Sequence, residues 1–324
     1  MRIPVTILTG FLGSGKTSLL RSALADPRMD ETAVIINEIG DVGLDHLLVG
    51  KLDDDAVLLK SGCLCCSLKT DFIETLTLMY HRRESGKFPP FKRVIVETTG
   101  LADPVPLLRV LMSSEPVNHW FSIKGVISTV DLMINLNVKD DREERIRQIA
   151  LADTLVLTKN DLVAKGRQFK FRQALSKLNP RARVILNSDT DRLFEVLLNE
   201  ERYPVVSNLF HNNALQTFLP LNEKTVHTQV TTYSLFIDPP LAWSGIIQFF
   251  RAVVRMYGTQ ILRIKGLLNI LESEKPVVVH GVETYFFPEA YLDEWPDNDR
   301  RSRLVFIVEG LEEERILECL NKYV

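Results

Sequence analysis

Over the first two-thirds of the chain, short aliphatic runs alternate with segments whose apolar positions recur every three or four residues. The runs predict strands over Val5–Thr9, Ala33–Asn37, Ala56–Leu59, Arg93–Glu97, Gly125–Val130, Thr154–Thr158 and Val184–Asn187. Several are rich in Val and Ile with little polar alternation, the pattern of strands buried on both faces. Between them, Phe72, Ile73, Leu76, Met79 and Tyr80 mark one helix face. Ile146, Ile149 and Ala150 mark a second, and Phe171, Leu175 and Leu178 a third. This alternation predicts an α/β fold: a doubly wound domain on a mostly parallel sheet.

After about residue 203 the texture changes. Ser207–His227 is polar and aperiodic and reads as a connector. A strand pattern over Val230–Ile237 follows, then a helix opening at Pro239-Pro240, since proline is tolerated in a first helical turn. Strands near Ile261–Ile270, Val277–Phe287 and Leu304–Val308 and a closing helix from Leu311 to about Leu320 complete the pattern. The expected organisation is a first domain over 1–206, a connector over 207–227, and a small C-terminal α+β domain of four strands and two helices over 228–324.

Composition narrows the function classes. With 324 residues, 45% hydrophobic, 25% charged and a formal net charge of -3, the chain is an ordinary globular protein. That balance gives no electrostatic case for nucleic acid or an anionic membrane as partner. The basic group Arg300-Arg301 with Arg303 reads as a solvated loop. No apolar run approaches the roughly 18 residues of a membrane span, and the chain enters a strand almost at once, leaving no room for a signal peptide. A soluble, cytoplasmic protein is expected.

Gly10-Phe11-Leu12-Gly13-Ser14-Gly15-Lys16-Thr17 fits the phosphate-binding pattern G-x-x-x-x-G-K-[ST], between a strand and a helix. In that context backbone N–H groups and a helix N-terminus wrap a polyphosphate. Lys16 would reach the β- and γ-phosphates, and the Thr17 hydroxyl would ligate Mg²⁺. The strand Arg93–Val96 runs into Glu97-Thr98-Thr99-Gly100, where Glu97 supplies a second hard oxygen for Mg²⁺ and Gly100 N–H meets the γ-phosphate. Thr158-Lys159-Asn160-Asp161 follows another strand. One carboxylate, Asp161, can accept from both N1–H and N2–H₂ of guanine, whereas adenine lacks that pair of donors; Lys159 can lay its aliphatic stem over the purine. GTP is therefore favoured over ATP.

Cys63-Leu64-Cys65-Cys66 holds three of the four cysteines, too clustered for a secreted disulfide framework. In a reducing compartment such a cluster binds metal or does redox chemistry. It cannot close a four-ligand site alone, so metal binding would be shared with Glu38 or Asp41, a histidine, or a partner. Cys319 reads as core. Of the other histidines only His280 merits testing.

Taken in order, GFLGSGKT, NEIG, SGCLCC, ETTGLADP and TKND resemble the motifs of the CobW-type (cobalamin synthesis protein) metal-associated P-loop GTPases. These are relatives of the nickel-insertion GTPases for urease and hydrogenase. Arg263–Gly266 and Arg301–Phe306 look like that family's C-terminal domain. The resemblance implies that Gly10, Gly13, Ser14, Gly15, Lys16 and Thr17 bind phosphates and Mg²⁺, with Glu97 on the magnesium side. It implies that Lys159 and Asp161 read guanine, and that Cys63, Cys65 and Cys66 bind zinc or cobalt for delivery to a client metalloprotein or metal-cofactor enzyme; Glu38 and Asp41 are the candidate co-ligands read from the residues themselves. A second copy of the chain, forming a homodimer, is also a candidate partner. The chain lacks a histidine-rich tract between its domains, which argues against metal storage. No water-orienting glutamine or arginine finger is visible, so slow intrinsic turnover is expected. Two other readings compete: a redox-sensing GTPase whose cysteines control client binding, and a nucleotide-dependent kinase of a small metabolite.

Overall fold

A computed structural model of the protein describes residues 2–36, 47–49, 67–134, 142–198 and 230–324, with backbone alone at 47–49 and 67–71. The described residues form two compact units.

The first is built on a seven-stranded sheet: β1 (Ile3–Gly10), β2 (Thr32–Ile36), β3 (Leu47–Val49), β4 (Arg93–Glu97), β5 (Phe121–Asp131), β6 (Thr154–Thr158) and β7 (Arg183–Leu186). Their spatial order is β3-β2-β4-β1-β5-β6-β7. Every pairing is parallel except that of β3, which runs antiparallel to β2 at the edge. The helices that precede β8 in the chain are α1 (Lys16–Leu24), α2 (Ser67–Glu84), α3 (Val105–Ser113), α4 (Val117–Trp120), α5 (Glu143–Leu151), α6 (Lys165–Leu178) and α7 (Thr190–Leu198); α5 and the end of α6 belong to the second unit. Leu19 and Leu20 of α1 and Phe194 of α7 bury against Leu8, Ile127 and Val156 of the central strands. The doubly wound, mostly parallel fold read from the alternation is the observed one.

Several details, the short α4 among them, depart from that reading. The short α3 was not among the expected elements; it buries Val105, Leu108 and Leu111 and exposes Arg109, and Asp103 accepts a hydrogen bond from Val105 N–H (2.9 Å) at its start. Helix α7 and the three-residue β3 were likewise absent from the expected elements. The strand expected over Ala56–Leu59 and the connector Ser207–His227 lie outside the described residues.

The second unit is built on an antiparallel sheet of β8 (Val230–Ile237), β9 (Ile261–Leu268), β10 (Val277–Val282), β11 (Tyr285–Phe286), β12 (Ala290–Tyr291) and β13 (Ser302–Glu309). The order is β11-β10-β9-β13-β8, with β12 also on β10. Helices α8 (Trp243–Tyr257) and α9 (Glu313–Tyr323) cover one face, packing Phe249, Val253, Ile316 and Cys319 onto Ile264 and Phe306. Cys319 is core, as expected, and burial pushes its thiol pKa up. Six strands stand where four were expected. The run Val277–Phe287 folds back at Glu283, whose φ of 50° breaks it into the β10–β11 hairpin.

Helix α8 does not open at Pro239-Pro240 but at Trp243. Leu241 is buried and bridges Ile270 in parallel, its N–H donating to Asn269 O (2.8 Å) and its carbonyl accepting from Leu271 N–H (2.9 Å). Those bonds hold the chain extended past the prolines. The Glu272 carboxylate then accepts from Trp243 N–H (3.0 Å) and satisfies an open donor of the first turn.

The opposite face of this sheet carries Arg263, Lys265 and Arg303, all buried. Helix α5 and the last turns of α6 group with this unit. Arg263 donates to Leu151 O, Arg147 pairs with Glu309 (3.0 Å), and Thr232 donates to Leu178 O (3.0 Å). Arg181 is half-buried near Arg303, and its pKa falls to about 10 through desolvation first and that like charge second. Arg303 is not part of a solvated loop. It forks onto Asp297 with bonds of 2.8 and 2.9 Å and donates to Asp299 O (2.9 Å).

These contacts make an acid-sensitive lock. Hydrogen bonds from Arg303 hold the Asp297 carboxyl below its ordinary value of 3.8. A depressed folded pKa contributes stability that is fully present above the ordinary value and is lost as pH falls through the folded one. Asp297→Ala is expected to lower unfolding free energy by about 1–3 kcal/mol at pH 7, because it strips a buried guanidinium of its carboxylate. The difference from the parent chain should shrink below about pH 3.8, the unfolded value. Urea denaturation of both proteins at pH 7 and pH 3 checks it; a constant difference would refute the assignment.

Candidate functional site

The carboxyl ends of β4, β1, β5 and β6 lie side by side, and the loops leaving them carry most of the chemistry-bearing residues. Register fixes their neighbours: Leu8 pairs with Glu97 and Ile127, Gly10 with Thr129, and Asp131 with Thr158. In an open α/β sheet this is the edge at which ligands bind.

The loop from Gly10 to Gly15 turns β1 into α1. Gly10 sits at φ 142°, and a Cβ there would lie 2.3 Å from Thr129 Oγ1, so only glycine fits. Ser14 N–H donates to Phe11 O (3.1 Å) and closes the turn. Gly15, at φ 92°, caps the N-terminus of α1. Lys16 is the first residue of that helix and is largely buried; its Nζ donates to Gly10 O (2.8 Å) and Phe11 O (3.3 Å). The ammonium therefore curls back over the loop that the pattern assigns to phosphate.

Thr17 Oγ1 donates to Glu97 Oε1 across 2.5 Å, joining the end of the phosphate loop to the end of β4. A hydroxyl and a carboxylate, both hard oxygen donors, suit Mg²⁺. Thr98 Oγ1 donates to Thr9 Oγ1 (2.9 Å), so β4 is tied to β1 just beneath. Gly100 packs onto the phosphate loop: a Cβ there would lie 2.6 Å from Leu12 N. Any larger residue would displace the loop.

Lys159 takes a left-handed conformation, φ 56°, and its Nζ reaches Asp131 Oδ2 at 2.6 Å. Asn160 Nδ2 donates to Ser188 Oγ (2.9 Å), and Gln168 Nε2 donates to Asn160 O (3.0 Å). Asp161 sits in the short 3₁₀ turn Asn160–Leu162 with its side chain exposed, open to a ligand. Thr158 Oγ1 donates to Ser14 O (2.7 Å), joining this loop directly to the phosphate loop.

The structure thus gathers Gly10, Gly13, Ser14, Gly15, Lys16, Thr17, Glu97, Gly100, Lys159 and Asp161 along one sheet edge. Asp131, Thr129 and Ser188 were missed. Asp131 carried a signal in principle, since like Glu97 it is an acid ending a buried strand at this edge. Cys63, Cys65 and Cys66, Glu38 and Asp41 lie outside the described residues. Among the described residues no three His, Cys, Asp or Glu side chains converge to hold a metal ion. His280 lies in β10 of the second unit, edge-on to Phe287. No described helix is long and apolar enough to cross a membrane.

Comparison with known proteins adds to this geometry. A family model for the CobW/HypB/UreG nucleotide-binding domain matches residues 4–186, and one for the cobalamin synthesis protein cobW C-terminal domain matches residues 230–324. The chain is 29% identical over 314 residues to the zinc chaperone YjiA of Escherichia coli, covering 97% of this chain and 96% of that one. It is 30% identical over 337 residues to the zinc chaperone CobW of a Sinorhizobium species, covering 94% and 92%. Among solved structures, the Zn(II)-bound YjiA GTPase from E. coli superposes with a TM-score of 0.72 at 26% identity, over 100% of this chain and 99% of that one.

Proposed function

Because the chain belongs to the CobW/HypB/UreG family, we propose that it is a GTP-hydrolysing metallochaperone of the cytoplasm. It binds zinc, with cobalt as the alternative, at the Cys63-Leu64-Cys65-Cys66 motif and delivers it to a client metalloprotein under control of GTP. The observation that carries the nucleotide half is the alignment of Lys16, Thr17–Glu97 and Lys159–Asp161 along one sheet edge. The metal half is supported by the cysteine cluster and by the zinc-chaperone names of relatives aligned over nearly the whole chain.

In this reading Lys16 exchanges its bonds to Gly10 O and Phe11 O for phosphate oxygens. Thr17 and Glu97 would hold Mg²⁺, which would supply neutralisation of the charge developing on the transferred phosphoryl group. Gly100, pressed against Leu12, brings a backbone N–H to the γ-phosphate side. Asp161 accepts from guanine. The zinc ion is cargo: soft thiolates hold it, and Glu38 and Asp41 lie in the same stretch of chain, leading out of β2. Loops ordered by GTP raise the grip on the metal, and loss of the γ-phosphate lowers it.

Such coupling is reciprocal. Zinc is expected to bind the GTP-loaded protein about 5–150-fold more tightly than the GDP-loaded one, and to tighten GTP by the same factor. Cys65→Ser is expected to weaken zinc by at least about tenfold without altering GTP affinity in chelator. Competition titrations with a chromogenic chelator, with a nonhydrolysable GTP analogue or GDP present, measure both. Equal zinc affinities in the two nucleotide states would sink the coupling. Client binding that follows oxidation rather than zinc would move the cysteines to a redox role.

A further inference from the structure

The phosphate loop and the base loop are not independent. Ser14 is gripped twice: its hydroxyl shares a 2.6 Å hydrogen bond with Thr129 Oγ1 of β5, and its carbonyl accepts from Thr158 Oγ1 of β6 at 2.7 Å. All three side chains are buried, at 2%, 2% and 4% exposure, so these bonds are not shared with bulk water. Each strand then ends in a base-side residue, Asp131 on β5 and Lys159 on β6, and these two are joined at 2.6 Å. Asp131 is itself held, since its other oxygen accepts from Met133 N–H at 2.7 Å. It also stands in register with Thr158.

Lys159 adds a second constraint. A non-glycine residue in the left-handed region costs energy and persists only where its surroundings fix it. Here the ion pair at one end and the bond from Leu162 N–H to its carbonyl (3.1 Å) at the other hold the stem in place.

We propose that Asp131 and Thr158 are positioning residues that make the paired ends of β5 and β6 a single post, through which guanine recognition sets the geometry of the phosphate loop. The proposal rests on the GTPase reading and deepens it. Neither residue touches the reacting atoms. Asp131 acts through Lys159, and Thr158 acts through Ser14.

The test uses the full chain and two probes: GTP, and inorganic tripolyphosphate as a base-free ligand. Asp131→Asn keeps the shape but removes the charge that holds Lys159. It is expected to weaken GTP about tenfold while leaving tripolyphosphate unchanged. Thr158→Val is expected to weaken both probes, and Thr158→Ser, which keeps the hydroxyl, to restore them. In the double variant Asp131→Asn with Thr158→Val, the GTP losses should fall short of the product of the single losses, as for residues acting through one unit. If Asp131→Asn weakens tripolyphosphate as much as GTP, or if the two losses multiply, the proposal is overturned. A general loosening of the fold would produce that equal loss and is counted against it. Wild-type protein that binds ATP as tightly as GTP would overturn the guanine reading itself, before any variant is made.

Discussion

Lys16→Ala is expected to abolish GTP turnover, lowering kcat/KM by at least about 10³-fold. Phosphoryl transfer asks little covalent chemistry of a protein and much placement of positive charge, so loss of the one cation built into the loop falls on the transition state. The side chain is prepared for the task, since Nζ lies 2.8 Å from Gly10 O and 3.3 Å from Phe11 O at the loop it serves. Lys16→Arg should not rescue. A planar guanidinium fork cannot occupy a place shaped for a compact ammonium, and the site is too buried for it to swing aside. Single-turnover phosphate release separates the outcomes. A variant retaining more than about a tenth of the parent rate would remove Lys16 from the transition state.

The second large effect concerns the base. Asp161→Asn is expected to weaken GTP by at least about 10³-fold relative to xanthosine triphosphate and to invert the parent preference. Guanine offers donors at N1 and N2, which a carboxylate accepts together. Xanthine carries a carbonyl in place of the exocyclic amine, and an amide can donate to it. A site built to accept leaves its own oxygen unpaired against the wrong base, and that penalty makes discrimination by hydrogen bonding large. Asp161 is exposed on the turn after β6, which is what the proposed contact to the base requires. Competition between the two nucleotides against a fluorescent analogue reads the inversion, and an unchanged ratio would place the base elsewhere.

The reach of the sequence can be followed residue by residue. Strands β4, β6 and β8 match their expected limits end to end because each is a short β-branched run closed by polar residues. Helix α3 escaped because it is only nine residues long and carries Pro106 in its first turn, although Pro106, Arg109 and Ser113 mark an exposed face. The start of α8 was misplaced because a proline pair is compatible with a first turn; a distant strand bridge, Leu241 to Ile270, decided otherwise. The same division holds at the candidate site. Lys16, Thr17 and Glu97 are legible since a local pattern fixes each relative to a strand or helix end. Asp131 and Thr129 work through partners 28 and 115 residues away, at Lys159 and Ser14, and no local pattern carries such pairings. Arg303 was misread although its hydrogen-bond partners, Asp297 and Asp299, are near in sequence, because its burial follows from the pairing of its strand with β9.

The strand order has a metric meaning. From β4 through β1 and β5 to β6 there are three interstrand steps of about 4.8 Å, roughly 14 Å in all, on the scale of an extended nucleoside triphosphate. In the proposed GTPase reading the sheet edge would act as a ruler, with Glu97 at one end and Lys159 at the other. GDP would keep every mark except the last, which predicts that product is held firmly by β1, β5 and β6 while β4 alone registers the missing phosphate. The strand on the far side of β4 is β2, and in sequence β2 runs straight into Asn37-Glu38. The ruler is read, in effect, from its short end.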